Sequence, residues 1–154
     1  MTTTKLVFKA IVGSSLYGVN IKDSDLDYIG MYIQPNSDIL GTKYKEQINI
    51  NKDETHFEIR RFLELLAKGS PRHFESLWVP EECILVKSKI YDFLRSQRQL
   101  FWTKQCYKAF TGMTFSNIRE DRGTKGWYHA ARTCLFGEEL LKSNNLTFPV
   151  SAVH

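Results

Sequence analysis

Leu6-Val7-Phe8-Lys9-Ala10-Ile11-Val12 runs into Gly13-Ser14-Ser15-Leu16-Tyr17-Gly18. A polar loop then leads to Asp23-Ser24-Asp25-Leu26-Asp27-Tyr28-Ile29-Gly30-Met31-Tyr32-Ile33. The first apolar run is rich in strand formers and stops at a Gly-Ser-Ser turn, so it reads as a buried strand. Ser14 is placed to cap a short helical turn ending near Gly18. Leu26 to Ile33 reads as a second strand, stopped by Gln34-Pro35-Asn36. Side chains alternate along a strand. Asp25 and Asp27 are therefore expected to point one way and Leu26 into the core.

Working outward, further strands are expected between Gln47 and Ile50 and from His56 to Ile59. The rest reads as helical. Ile59, Phe62, Leu63 and Leu66 recur at helical spacing up to Gly69. Ser70-Pro71 fits the cap and first position of the next helix, with Phe74, Leu77 and Trp78 as its apolar face. Ile90, Phe93 and Leu94 begin a third helix, and Leu100, Phe101, Tyr107 and Phe110 fit a fourth. Trp127, Ala130, Ala131, Cys134, Glu138 and Leu141 trace one face of a fifth, after a polar segment from Thr111 to Thr124. Strands first and helices later predict an α+β fold with helices on a small mixed sheet. No linker is evident, so residues 1–154 are expected to form one domain. Residues 1–60 would be mainly sheet and 61–154 mainly helical.

The 154 residues suit one core, and the formal charge of +4 permits phosphate or nucleic-acid partners without requiring them. Cys83, Cys106 and Cys134 are odd in number and far apart, which argues against a zinc site and for a reducing, cytoplasmic compartment. No apolar stretch is long enough to span a bilayer.

Two carboxylates on one strand face repel each other unless a cation neutralises them. A hard divalent ion, Mg2+ or Mn2+, does so and brings substrate phosphates with it. The turn at Gly13 and Ser14 offers backbone N–H groups and a hydroxyl to phosphate oxygens. A phosphate cradle beside a metal-binding pair is suited to phosphoryl transfer. Taken alone, Asp-x-Asp is more often a solvated turn, and Gly-Ser more often turn chemistry. Tyr17 reads as packing or hydrogen bonding near the loop, and Asp23 as a loop residue. Lys125, His129 and Arg132 share a helix face opposite Trp127, Ala131 and Cys134. That face is either a solvated basic surface or a set of phosphate contacts. Arg119 and Arg122 could join it. His73 and His154 read as surface residues, and Trp78, Trp102 and Trp127 as core.

The Gly-Ser, spacer, Asp-apolar-Asp pattern resembles the signature of the polymerase-β nucleotidyltransferase superfamily, with ten residues between Ser14 and Asp25. Within it, GSSLYGVNIKDSDLDYIGMYI is similar to a family of predicted nucleotidyltransferases associated with RNA repair. Glu58-Ile59-Arg60-Arg61-Phe62-Leu63 with Ala67-Lys68-Gly69-Ser70-Pro71, and Lys125-Gly126-Trp127-Tyr128-His129-Ala130-Ala131-Arg132, are similar to its later segments. Members of that family continue past Phe148-Pro149-Val150, so a C-terminal portion is expected to be missing or lost here. The resemblance implies a palm-type sheet and a third metal-binding acid. Glu58, between Phe57 and Ile59, fits that role, with Asp53 and Glu54 as competitors. It also implies metal-dependent transfer of a nucleoside monophosphate from a nucleoside triphosphate to a hydroxyl on RNA, a protein or a small molecule. Asp25, Asp27 and Glu58 would hold the metal. Gly13, Ser14, Lys125, His129 and Arg132 would contact the nucleotide. The rival expectations are a catalytically silent nucleotide- or RNA-binding module, and one half of a two-protein toxin–antitoxin-like enzyme.

Overall fold

A computed structural model describes residues 3–17, 26–119 and 123–148. Five strands form one mixed sheet: β1 (Lys5–Val12), β2 (Asp27–Ile33), β3 (Gln47–Asn49), β4 (Glu54–Glu58) and β5 (Ile84–Lys87), in the order β3-β4-β2-β1-β5. β2 runs parallel to β4 and antiparallel to β1, which in turn pairs antiparallel with β5. The helices are α1 (Asn36–Leu40), α2 (Ile59–Ala67), α3 (Pro71–Ser76), α4 (Lys89–Ser96), α5 (Lys104–Arg119) and α6 (Gly123–Ser143). The fold class is the expected α+β, with four strands in the first 58 residues and most helices after them, although α1 falls between β2 and β3 and β5 follows α3.

Alternation along β1 and β2 gives the sheet two unlike faces. Phe8, Ala10, Ile29 and Met31 lie on the inner face and are fully buried. Phe8 stacks on Tyr91 of α4 with ring centroids 4.0 Å apart and meets Phe62 of α2 edge-on, so helices cover this face. The outer face carries Lys9, Tyr28, Gly30, Tyr32, Glu54 and His56. There the Tyr32 hydroxyl donates to the Lys45 carbonyl at 2.6 Å, tying down the segment after β2.

Several expectations need correction. β4 begins two residues before His56, and Ile59 already opens α2, because the Glu58 side chain caps that helix by accepting from the Arg60 N–H. α1 and the edge strand β5 were not anticipated from the sequence: both are short, and β5 is half exposed. The stretch 111–119 belongs to α5 rather than to a polar connection, and α5 starts at Lys104, after a separate 3-10 turn over Arg98–Phe101. Leu26 is 37% exposed rather than turned into the core.

The buried face of α6 is also rotated from the expected one. Gly126, Ala130, Thr133, Gly137 and Leu140 are buried, whereas Trp127, Ala131, Cys134 and Leu141 face outward. Small residues let two helices approach closely, and a pattern count that favours large apolar side chains misses such a seam. Trp127, expected in the core, is therefore 61% exposed. His73, expected at the surface, is buried. It packs edge-on against Phe57 and Phe62, with Nδ1 2.8 Å from the Ser70 hydroxyl. His154 lies outside the described residues.

Candidate active site

Where β1 ends, Gly13–Ser15 forms a single 3-10 turn, with the Leu16 and Tyr17 N–H groups donating to the carbonyls of Gly13 and Ser14. Gly13 has φ +75, a left-handed conformation that glycine adopts readily. It also has no room for a side chain: a Cβ there would fall 2.9 Å from Cγ of Asp27. Val12 and Asp27 are partners in the β1–β2 register, so the ladder brings the first residue of β2 against the turn.

A cavity of about 340 Å3 opens beside this contact. Gly13, Leu16, Tyr17, Asp27, Asp53 and Thr55 form its sheet side. Arg72 and Glu75 of α3, Met113 and Asn117 of α5, and His129 and Arg132 of α6 form its helical side. The size falls within the usual range for small-molecule sites. Asp53 enters through register: its carbonyl accepts the Tyr28 N–H at 2.7 Å, which sets it beside the start of β2. Arg72 donates to the Tyr28 carbonyl at 3.3 Å. Burial lowers the Arg72 pKa, and the nearby Asp27 charge opposes that shift.

Buried Glu75 and Arg132 and half-buried Tyr17 form a triad in the wall of the cleft. The Tyr17 hydroxyl donates to Glu75 Oε2 at 2.5 Å, and Arg132 Nη1 donates to the same oxygen at 3.1 Å. The Arg132 guanidinium also lies 3.7 Å from the centre of the Tyr17 ring. Burial pushes the Glu75 carboxyl up, and Arg132 and Tyr17 oppose the shift. Burial likewise raises Tyr17, with Glu75 adding to the rise and Arg132 opposing it. The three groups join the chain just after the Gly13–Ser15 turn to α3 and α6.

The structure gathers some of the expected site residues and separates others. Gly13, Asp27, His129 and Arg132 line one cleft. Ser14 is half-buried in the adjoining turn. Asp25, Asp23 and Arg122 lie outside the described residues. Lys125 and Arg119 are exposed and do not line the cavity. Glu58 is not brought to Asp27. It pairs with Tyr32, five residues further along β2, roughly 16 Å away at strand rise. It also faces the opposite side of the sheet, where it is fully buried, accepts from Arg60 Nε at 3.2 Å and from the Tyr44 hydroxyl at 3.3 Å, and caps α2. Glu54 faces that side too, 2.7 Å from Lys9 and 2.6 Å from His56. Of the three acids considered for the third position, Asp53 is the one in the cleft. Among the described residues, no three His, Cys, Asp or Glu side chains converge to hold a metal ion.

Glu75, Asn117 and Arg72 are among the lining residues that had not been singled out from the sequence. Glu75 sits between Phe74 and the Leu77-Trp78 pair, and an acid inside an apolar helix face is a legible signal. Asn117 falls in the stretch taken for a polar connection. Arg72 carries no signal beyond its charge.

The mixed sheet, the glycine turn closing on a strand-borne aspartate, and the helices that follow define a polymerase-β-type nucleotidyltransferase fold. The chain belongs to the RNA repair pathway DNA polymerase beta family (RlaP), which it matches over residues 1–153. It is also 31% identical over 123 residues to an uncharacterized 38.9 kDa protein in the nrdC-mobD intergenic region of Enterobacteria phage T4. That match covers 70% of this chain but 36% of the phage protein, so the chain spans about a third of its curated relative. No solved structure matches. Among the described residues, no helix is long and apolar enough to cross a membrane.

Proposed function

We propose that the chain transfers a nucleoside monophosphate from a nucleoside triphosphate to a hydroxyl acceptor, with an RNA end as the favoured class. The observation that carries this reading is the packing of Asp27 onto the Gly13 turn, with Asp53 in the same cleft. Carboxylate oxygens are the donor set that Mg2+ and Mn2+ prefer, and a turn free of Cβ lets phosphate oxygens approach the backbone. Asp25, Asp27 and Asp53 would hold the metal, Asp53 taking the place first expected of Glu58. Bound there, the ion would neutralise phosphate charge and acidify the attacking hydroxyl. Gly13 and Ser14 would seat the β- and γ-phosphates. Arg132, fixed by Glu75 and Tyr17, would present a guanidinium already oriented, and fixed donors stabilise developing charge without reorganising. His129 would reach the same phosphates, and Lys125, one turn earlier on α6, would meet a longer acceptor. The free Cys83, Cys106 and Cys134 fit a cytoplasmic setting.

The direct test incubates the protein with each labelled triphosphate, Mn2+ or Mg2+, and total RNA. Label should pass to RNA with wild type and be lost with Asp25→Asn and Asp27→Asn. Triphosphate binding without transfer under any condition would instead mark a silent binding module. A second reading, an enzyme half that needs a partner protein, is favoured by the outward Trp127, Leu135 and Leu141 on α6. It would show as transfer that appears only when a partner is supplied.

A further inference from the structure

The cleft has two chemically different walls. The sheet wall carries Asp27 and Asp53 beside the glycine turn, with Lys52 at its edge. The helical wall contributes Met113 and Asn117, four residues apart on α5 and therefore on one face. Cys106 and Phe110 hold the buried side of α5 further back. Asn117 continues that side into the cavity, where an apolar residue would be the ordinary choice. It is 7% exposed, and its amide Nδ2 has no hydrogen-bond partner among the described residues. Leaving a buried amide donor unpaired costs about 1–3 kcal/mol, so an acceptor supplied by a ligand would relieve it.

We propose that Asn117 and Met113 form the nucleobase subsite of this cleft, with the Asn117 amide reading the edge of the base. The inference rests on the transferase reading above and extends it to the opposite end of the substrate. A phosphate is the wrong ligand for the α5 part of this wall, because Met113 and Asn117 are neutral and the cations of the helical side, Arg72 and Arg132, come from α3 and α6. A flat, polarisable ring with acceptor atoms on its rim is the right one. Met113, 36% exposed at the rim, offers a thioether that packs well against aromatic rings. A carboxamide carries both a donor and an acceptor, which lets it pair bidentately with a base edge and discriminate between bases.

Binding of the four nucleoside triphosphates and of inorganic tripolyphosphate, each with Mn2+, to the full chain tests this by calorimetry. The expected wild-type result is one triphosphate bound roughly tenfold more tightly than tripolyphosphate and than the least favoured base, the scale of one bidentate base contact. Asn117→Asp, which replaces the amide donor by an acceptor, should reorder the four triphosphates while leaving tripolyphosphate within about twofold. If that variant does not fold by circular dichroism, Asn117→Ser should flatten the preference with the same tripolyphosphate control. Equal affinity of wild type for all five ligands overturns the base subsite while leaving the transferase reading standing. So does a variant that weakens all five equally. Failure of wild type to bind even tripolyphosphate overturns both.

Discussion

The Asp27 carboxyl group occupies the space that a side chain on Gly13 would need: a Cβ built there lies 3.0 Å from the Asp27 Cβ and 2.9 Å from its Cγ. Because Gly13 also has φ +75, two independent penalties fall on one substitution. A non-glycine residue in the left-handed region costs about 1–2 kcal/mol, and displacing Asp27 adds to it. Gly13→Ala is expected to lower unfolding free energy in urea by at least that amount and to abolish detectable triphosphate binding. A variant that bound triphosphate normally would show that the turn and the aspartate do not act together.

The two acids that compete for the proposed third metal position make opposite predictions. Asp53 lines the cleft, whereas Glu58 caps α2 from the other side of the sheet. Asp53→Asn is expected to lower transfer by roughly 100-fold or more, the scale of removing a major electrostatic contributor, with little change in stability. Glu58→Gln should keep transfer within a few-fold and lose about 1 kcal/mol or more of stability through the weakened cap. Transfer rates and urea midpoints measured on both variants separate the roles. The reverse pattern would return the third position to Glu58.

The Asp53 and Glu58 pair also shows what the sequence could and could not reveal. Apolar flanks at Phe57 and Ile59 made Glu58 the expected third acid, and the residue is instead fully buried on the other side of the sheet. Those flanks could not reveal the register of β4 against β2, which pairs Tyr32 with Glu58 and leaves Asp53 beside Asp27. Register between distant strands depends on tertiary packing, and a single-residue slip exchanges faces. The strand–turn–strand unit was legible because strong local signals agree there: a β-branched run, a glycine turn and an alternating acid pair. The presence of α2, α3 and α4 was legible from periodicity and the Ser70-Pro71 pair, although the strand expected from His56 ran on to Ile59, which instead opens α2. α6 was located correctly but turned the wrong way. Its seam is built from Gly126, Ala130, Thr133 and Gly137, residues too small to register as a hydrophobic face.

His73 makes stability depend on pH. Burial, with Arg72 and Arg61 nearby, lowers its pKa to about 4, and its Nε2 has no partner among the described residues. In the unfolded chain a histidine titrates near 6.5. Between those values the unfolded chain therefore binds a proton that the folded chain refuses. Stability contributed by neutral His73 is complete above about pH 6.5, declines as pH falls, and is exhausted once pH drops below about 4. The full effect approaches roughly 3 kcal/mol. Urea unfolding of wild type and His73→Phe at pH 7.5 and 4.5 checks this. The variant should lose less stability than wild type over that interval, and equal losses would show that His73 is not the titrating group.

Glu75 and Arg132 should behave as one unit. Both are nine-tenths or more buried, they meet at 3.1 Å, and Glu75 Oε1 and Arg132 Nε have no other partner among the described residues. Removing one member leaves the other charge buried and unpaired, which typically costs 3–5 kcal/mol. Glu75→Gln keeps shape and a polar atom, so it is expected toward the lower end, and Arg132→Met toward the upper. The combined variant Glu75→Leu with Arg132→Met replaces the pair by apolar groups. It should be destabilised by less than the sum of the single replacements Glu75→Leu and Arg132→Met, a coupling that a double-mutant cycle reads directly. Triphosphate binding should part company with stability in that variant: the fold is restored in part, while the guanidinium that faces the cleft is gone. Recovery of both together would mean that Arg132 serves the packing alone.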